Sequence, residues 1–159
     1  MVAEPYSVPP VAISDDRRKL AVDLFNHVWT LMETEDRTPE QDDEMIHAAH
    51  ASRHHWAEVG TGANLARGEW QISRVYVTLG RAEPALYHAG RCLAHCEASP
   101  DDVADWDLPY AYEALARAHA VAGDQDEAHR FAVRARELAE LVEDAEDREH
   151  LAEDLATLP

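Results

Sequence analysis

Two segments of the chain align with each other without a gap, and this repeat restricts the possible folds more than any other feature. The first is EWQISRVYVTLGRAEPALYHAGRCLAHC (69–96), and the second is YEALARAHAVAGDQDEAHRFAVRARELA (112–139), at an offset of 43 residues. Identical residues occupy five aligned positions: Arg74 and Arg117, Gly80 and Gly123, Ala85 and Ala128, Ala89 and Ala132, and Arg91 and Arg134. A fixed internal period predicts a supersecondary unit that stacks on its own copy.

Each repeat is predicted to be two helices joined at a glycine. Gly80 and Gly123 mark the turns, because glycine accepts the left-handed conformation that ends a helix. Small side chains then recur at helical spacing and let the paired helices approach closely. They are Ala85, Ala89 and Cys92 in the first repeat and Ala128, Ala132 and Ala135 in the second. Glycine is otherwise scarce and Ala, Leu, Glu and Arg dominate, a composition that favours helix.

On these residues the chain resembles the tetratricopeptide repeat (TPR) superfamily. Its pattern is a large apolar residue, a small one, an aromatic, a glycine and spaced alanines. The matching residues are Ile72, Ser73, Tyr76, Gly80 and Ala85, followed by Leu115, Ala116, Gly123 and Ala128. The resemblance covers residues 64–143, but alanine replaces the usual aromatic at 89 and 132. The offset also exceeds the usual ~34 residues and falls within the HEAT and armadillo range, so another α-solenoid is the alternative.

The rest of the chain extends this pattern to one all-α domain, residues 14–159. We expect a TPR-like α-solenoid of about seven helices arranged as stacked antiparallel hairpins. The predicted hairpins span about 14–59, 62–98 and 103–143, and a capping helix spans about 144–158. Spaced prolines predict an extended N-terminal arm over residues 1–13.

The charge of the chain excludes two classes of partner. The formal net charge is −18 at pH 7, and the basic residues are thirteen arginines and the single Lys19. Such a charge repels phosphate backbones and anionic lipid surfaces, so neither nucleic acid nor membrane is expected as a partner. The sequence shows no export signal and no membrane-spanning segment. Cys92 and Cys96 lie four apart on one predicted helix, a poor geometry for a disulfide, so we expect a cytoplasmic protein.

The TPR resemblance implies a concave groove, lined by the first helix of each repeat, that binds peptides. Carried over position by position, the lining residues are Arg67, Trp70, Arg74, Tyr110, Glu113 and Arg117. Because guanidinium groups bind carboxylates, we expect a non-enzymatic module that binds an acidic or C-terminal peptide segment. The alternative is that these arginines pair with acids such as Glu69 and Glu113 and hold adjacent helices in register.

The segment MIHAAHASRHHW (45–56) supports a second functional hypothesis. His47, His50 and His54 fall within an arc of about 60° on a helix, and His27 on the preceding helix could complete a site. Neutral imidazoles bind zinc or another divalent transition metal, so the alternative function is a metal-binding protein or a metal-dependent enzyme. The same histidines are also compatible with a solvated face or with packing against the next hairpin. No other cofactor is expected.

Two further features leave alternatives open. The group His88, Cys92, His95 and Cys96 could hold zinc, although buried thiols acting as small apolar side chains explain the cysteines as well. Trp29 and Trp106 could anchor a homodimer, because tryptophan is enriched at interface hot spots.

Overall fold

The computed structural model describes residues 10–158, with side chains from residue 16 onward, and this range is helical with no strand. Its helices are α1 (Pro10–Glu33), α2 (Pro39–Val59), α3 (Gly62–Thr78), α4 (Ala82–Ala98), α5 (Asp107–Ala122), α6 (Gln125–Ala139) and α7 (Ala145–Ala156). The prediction of an all-α chain with seven helices is confirmed over these residues.

The first helix begins earlier than predicted. It starts at Pro10, so residues 10–13, assigned to the extended arm, are helical instead. Proline is tolerated in the first turn because the N–H group that it lacks would have no partner within the helix there. The remainder of the predicted arm, residues 1–9, lies outside the described residues.

Each helix packs against the next one along the chain, and α3 also contacts both α1 and α5. The turns follow the predicted chemistry, since Gly80 and Gly123 adopt positive φ angles of 69° and 83°. Between α1 and α2, Thr38 and Gln41 form a reciprocal capping box, and Pro39 starts the second helix. These local signals position the ends of the helices, and the contacts of α3 place it at the centre.

The predicted small-residue stripes are buried against their partner helices. Ala85 and Ala89 on α4 and Ala128 and Ala132 on α6 are all inaccessible to solvent or nearly so. The close approach is visible at α3, where the Ser73 hydroxyl donates to the Ala85 carbonyl over 2.9 Å. Side chains that end at Cβ allow this approach, because nothing larger separates the two backbones.

Buried polar side chains attach α1 to the helices beneath it. The Ser52 hydroxyl on α2 donates to the Ala21 carbonyl at 2.8 Å, and the Gln71 amide on α3 donates to the Phe25 carbonyl at 2.9 Å. Both carbonyls belong to α1, so α2 and α3 each hold the backbone of α1 by a side-chain hydrogen bond. These bonds also give the buried donors of Ser52 and Gln71 a partner.

The last helix covers the end of the core. Leu151 and Leu155 of α7 are buried, and with Val142 they pack against Ala135 and Ala139 of α6. Within residues 10–158, no helix combines the length and the apolar character needed to cross a membrane.

Substituting glycine by alanine should have opposite effects at two positions. At Gly123 the added Cβ meets no atom within 4 Å, but φ is +83°, so we expect Gly123→Ala to destabilise by about 1–2 kcal/mol. Gly90 also has open space but lies inside α4 with no positive φ, so Gly90→Ala should stabilise by about 1 kcal/mol. Urea unfolding of both variants measures the difference. Equal effects would contradict a left-handed turn at 123.

Candidate functional site

A cavity of about 260 Å³ lies where α1, α3 and α5 approach one another, and its surface is almost entirely apolar. The lining residues are Phe25, Ala66, Arg67, Trp70, Cys92, Trp106, Asp107 and Tyr110. Arg67, Trp70 and Tyr110 were predicted from the sequence to line a groove, and the structure brings these three together. Phe25, Trp106 and Asp107 were not predicted to take part.

Aromatic rings in mutual contact form the walls of the cavity. The centroid of the Trp70 ring lies 5.6 Å from that of Trp29 and 5.6 Å from that of Tyr110. The ring planes of Trp70 and Tyr110 meet at 74°. Trp106 contacts Tyr110 edge to face at 6.1 Å. Edge-to-face packing holds large rings in defined orientations, so the cavity has rigid apolar walls that suit a large apolar group.

Arg67 provides the polar edge of this cavity. Its Nε and Nη2 atoms each donate to Asp107 over 2.8 Å, and its guanidinium group lies 4.2 Å from the centroid of the Trp106 ring. Asp107 is only 3% exposed, whereas the Arg67 side chain is 36% exposed. The Nη1 atom of Arg67 makes no hydrogen bond to any described residue, so this arginine retains donors for a ligand.

Glu113 joins three of the predicted groove residues. Its carboxylate is 0% exposed and accepts from Arg74 Nη1 at 2.8 Å, from Trp70 Nε1 at 3.1 Å, and from Arg117 Nε. Arg74 and Arg117 therefore turn toward one carboxylate, and the pairing with Glu113 that the register interpretation expected is present. Glu69 takes other partners, as described below.

The last helix contributes further partners to the same group. Tyr110 donates from its hydroxyl to Asp154 at 3.0 Å, and Arg117 Nη2 donates to the Asp154 carbonyl at 2.7 Å. Burial, with the nearby Asp154 charge, raises the pKa of Tyr110, so the phenol stays protonated as a donor. The Arg74 and Arg117 side chains are only 21% and 11% exposed. Arg117 also donates to the Thr157 hydroxyl, and Arg74 Nη2 lies 3.8 Å from the Asp154 carboxylate.

The structure does not gather the four candidate metal-binding histidines. His27 bonds to Glu44 over 2.7 Å, His50 bonds to the Tyr76 hydroxyl over 3.1 Å, and His47 and His54 are exposed. Among the described residues, no three His, Cys, Asp or Glu side chains are arranged to hold a metal ion. His50 packs against the next hairpin, with its ring 5.2 Å from His88. Metal binding stays a prediction, which elemental analysis of protein without a histidine tag would test.

A second polar cluster surrounds the buried Glu69, between α2, α3 and α4. One oxygen of Glu69 accepts from Arg53 at 3.0 Å, and the other lies 2.6 Å from His88 Nδ1. Burial alone would raise the pKa of Glu69, but the His88 hydrogen bond and the Arg53 charge outweigh it and lower this pKa. His95 Nε2 lies 3.3 Å from Arg53 Nη2. Burial lowers the pKa of His95, and the positive charge of Arg53 lowers it further.

Cys92 and Cys96 are buried free thiols on the stripe that faces α3 and α5. A hydrogen bond with Cys96 and burial both raise the pKa of Cys92, so the thiol that lines the cavity is protonated at neutral pH. It therefore acts as part of an apolar wall.

No protein-family model, no curated protein and no solved structure matches this chain. Inference about function therefore depends on the geometry alone.

Removing the Glu113 carboxylate should destabilise the fold strongly. Glu113→Ala leaves Arg74, Arg117 and the Trp70 N–H without their shared acceptor, and we expect a loss of about 3–5 kcal/mol. Glu137 supplies the matched control, because its ion pair with Arg134 is solvent-exposed. Glu137→Ala should change stability by less than about 0.5 kcal/mol. Similar losses for both variants in urea unfolding would refute the structural role of Glu113.

The stability of the fold should decrease as the pH falls below 6.5. Burial is the main cause that lowers the pKa values of His50 and His95 below the ordinary 6.5. The charge of His88 lowers the pKa of His50 further, and the charge of Arg53 does the same for His95. Their contribution is fully present above pH 6.5 and is lost as the pH falls through the folded-state pKa, because the unfolded chain takes up protons first. Glu69 adds a second loss below pH 4.5, as the pH falls through its lowered pKa.

The free energy of unfolding, measured in urea between pH 7.5 and 5, tests this dependence. The double variant His50→Gln, His95→Gln should show a smaller decrease over that range than the wild type. His129→Gln is the control, because it removes an exposed histidine on α6 instead of a partly buried one. An unchanged slope in the double variant would show that these two side chains do not cause the effect.

Proposed function

We propose that the chain is a TPR-like α-solenoid that binds a peptide in the cavity between α1, α3 and α5. The helix order, the left-handed glycines at 80 and 123, and the contacts of α3 with both α1 and α5 support this arrangement. In such a stack the first helices of successive hairpins lie side by side and present one shared surface.

The observation that carries the proposal is the cavity itself. It combines rigid aromatic walls from Trp70, Trp106 and Tyr110 with one partly exposed guanidinium group, that of Arg67. Binding sites are commonly concave and mostly apolar, with a few polar groups that orient the ligand. We infer that the peptide inserts one large apolar side chain and places a carboxylate, terminal or acidic, on the remaining donors of Arg67.

The role of the three arginines is divided. Arg74 and Arg117 are bound to Glu113 and to α7, so they hold the walls of the site in register. Arg67 is the most exposed of the three and contacts the bound carboxylate. Under this proposal the peptide-binding interpretation applies to Arg67, and the register interpretation applies to all three arginines.

Local charge also favours this ligand. Three arginines balance three carboxylates around the groove: Arg67, Arg74 and Arg117 against Asp107, Glu113 and Asp154. The chain as a whole carries −18, so this surface repels an anionic peptide less than most others on the molecule.

Filling the cavity should weaken peptide binding strongly without unfolding the protein. Ala66 is buried and lines the cavity, so Ala66→Leu places a larger side chain in the space that the ligand needs. A synthetic array of random octapeptides with free carboxyl termini supplies the probes. We expect enriched peptides to carry an aromatic or large aliphatic residue beside a carboxylate, and to bind Ala66→Leu at least about tenfold more weakly by fluorescence anisotropy.

Two controls make the result interpretable. Ala57 is exposed on α2 and outside the cavity, so Ala57→Leu should bind as the wild type does. Versions of the enriched peptides in which the carboxylate is replaced by an amide, at the C-terminus or by Asn or Gln in place of Asp or Glu, should bind about tenfold more weakly than the free acids if Arg67 contacts that carboxylate. Equal binding by the wild type and Ala66→Leu would remove the cavity from the function of this protein.

A further inference from the structure

Cys92 and Cys96 form a pair of thiols to which the peptide-binding proposal gives no role. Both are free and buried, at 2% and 3% exposure, and they lie four residues apart on α4. They pack in one cluster with Ala66 of α3 and Ala111 of α5, and the two thiols interact directly with each other. Both sulfurs therefore lie close together where α4 contacts α3 and α5.

Helix packing does not require sulfur at these two positions. The repeat offset of 43 residues aligns the cysteines with Ala135 and Ala139, and both alanines are buried on α6. A side chain that ends at Cβ is therefore sufficient at the equivalent positions of the second repeat. In the first repeat Cys92 also lines the aromatic cavity, so a ligand in that cavity has access to the thiol pair.

The spacing of the two cysteines on the helix prevents a disulfide between them. Side chains four residues apart on a helix have Cβ atoms about 5–6 Å apart. A disulfide requires Cβ atoms about 3.5–4.5 Å apart, so a direct S–S bond would distort α4. One atom placed between the two sulfurs spans the larger separation without changing the helix. The pair is therefore suited to an electrophile that forms two bonds to sulfur.

The surroundings of the thiols decide which bridging atom fits. A zinc site takes four ligands, and among the described residues no third His, Cys, Asp or Glu side chain is placed to complete one. Copper(I) bound by two thiolates leaves a negative charge on the complex. Arg67, whose charge acts on Cys96, already pairs with Asp107 through two hydrogen bonds, so that negative charge would be buried without compensation. A neutral bridge is therefore favoured.

We propose that Cys92 and Cys96 bind a trivalent organoarsenical, R–As(OH)2, with its organic group R in the aromatic cavity. Two As–S bonds form and two As–O bonds break. The thiol protons leave with the two hydroxyl groups as two molecules of water, so arsenic stays trivalent and the complex is neutral. The cavity of about 260 Å³, with the rings of Trp70, Trp106 and Tyr110 in its wall, suits an aryl group.

Transfer of the arsenical from dithiothreitol tests this proposal, because the competing dithiol cancels the intrinsic strength of the As–S bonds. The probes are phenylarsine oxide, which hydrates to phenylarsonous acid, and methylarsonous acid. Reduced protein is titrated anaerobically, and native mass spectrometry of the folded chain measures the adduct. We expect one arsenical per chain, and phenyl transfer at least about tenfold more favourable than methyl transfer, because the phenyl group buries more apolar surface.

Alanine variants at the two cysteines test the thiol pair. Alanine occupies the aligned positions of the second repeat, so we expect Cys92→Ala and Cys96→Ala to fold. Each should lose at least about a hundredfold in the transfer of either arsenical, because a single thiol forms only one of the two bonds. His95→Gln is the matched control on the same helix. His95 bonds to Arg53 instead of the thiols, so this variant should bind as the wild type does.

Ala66→Leu tests the contribution of the cavity. The larger side chain occupies the space assigned to the organic group, so this variant should lose the preference for phenyl over methyl. Ala57→Leu, exposed on α2 and outside the cavity, should keep that preference. Because these measurements use no peptide, their outcome does not depend on the peptide-binding proposal.

Three outcomes would overturn the proposal. Equal transfer of both arsenicals to the wild type would exclude the cavity, and tight binding by either alanine variant would exclude the thiol pair. Stoichiometric retention of Cu(I) or Zn(II) by the wild type, with no transfer of either arsenical, would assign the thiols to a metal ion instead.

Discussion

The buried carboxylate of Glu113 is the interaction on which the rest of the structure depends. A carboxylate with no exposure to solvent is stable only when its hydrogen bonds and its charge are matched, and here two arginines and an indole N–H do this. Two of these donors belong to α3 and the third to α5, so the two helices cannot slide past each other without leaving a buried charge unpaired. Through Arg117 the same group reaches α7.

The aromatic cavity follows from that alignment. Trp70 bonds to Glu113 and contacts both Trp29 and Tyr110, so its ring position is set by α5 as well as by its own helix. At the other end of the cavity, Asp107 holds Arg67 through two parallel hydrogen bonds. The pairs Arg67–Asp107 and Arg74–Glu113 therefore fix the relative position of α3 and α5. This fixed position keeps the cavity open.

The ion pairs between α3 and α5 occur at offsets just below the repeat length. Arg67 pairs with Asp107 and Arg74 pairs with Glu113, offsets of 40 and 39 residues against a repeat of 43. The difference is about one helical turn, as expected when the equivalent helices of neighbouring repeats pack side by side. A search for opposite charges at this offset would have identified Asp107 from the sequence. Asp154 has no such signal, because α7 lies outside the repeat.

The sequence by itself determined the local structure. Gly80, Gly123 and Pro39 mark turns and helix starts, and alanine spacing predicted which faces are buried, because these effects depend on residues within one or two helical turns. Only the tertiary structure decided that Arg74 and Arg117 pair with Glu113 and that Tyr110 donates to Asp154. It also decided that His27 bonds to Glu44 while His50 bonds to Tyr76. Those outcomes depend on contacts between residues far apart in the chain, whose positions follow from the packing of whole helices.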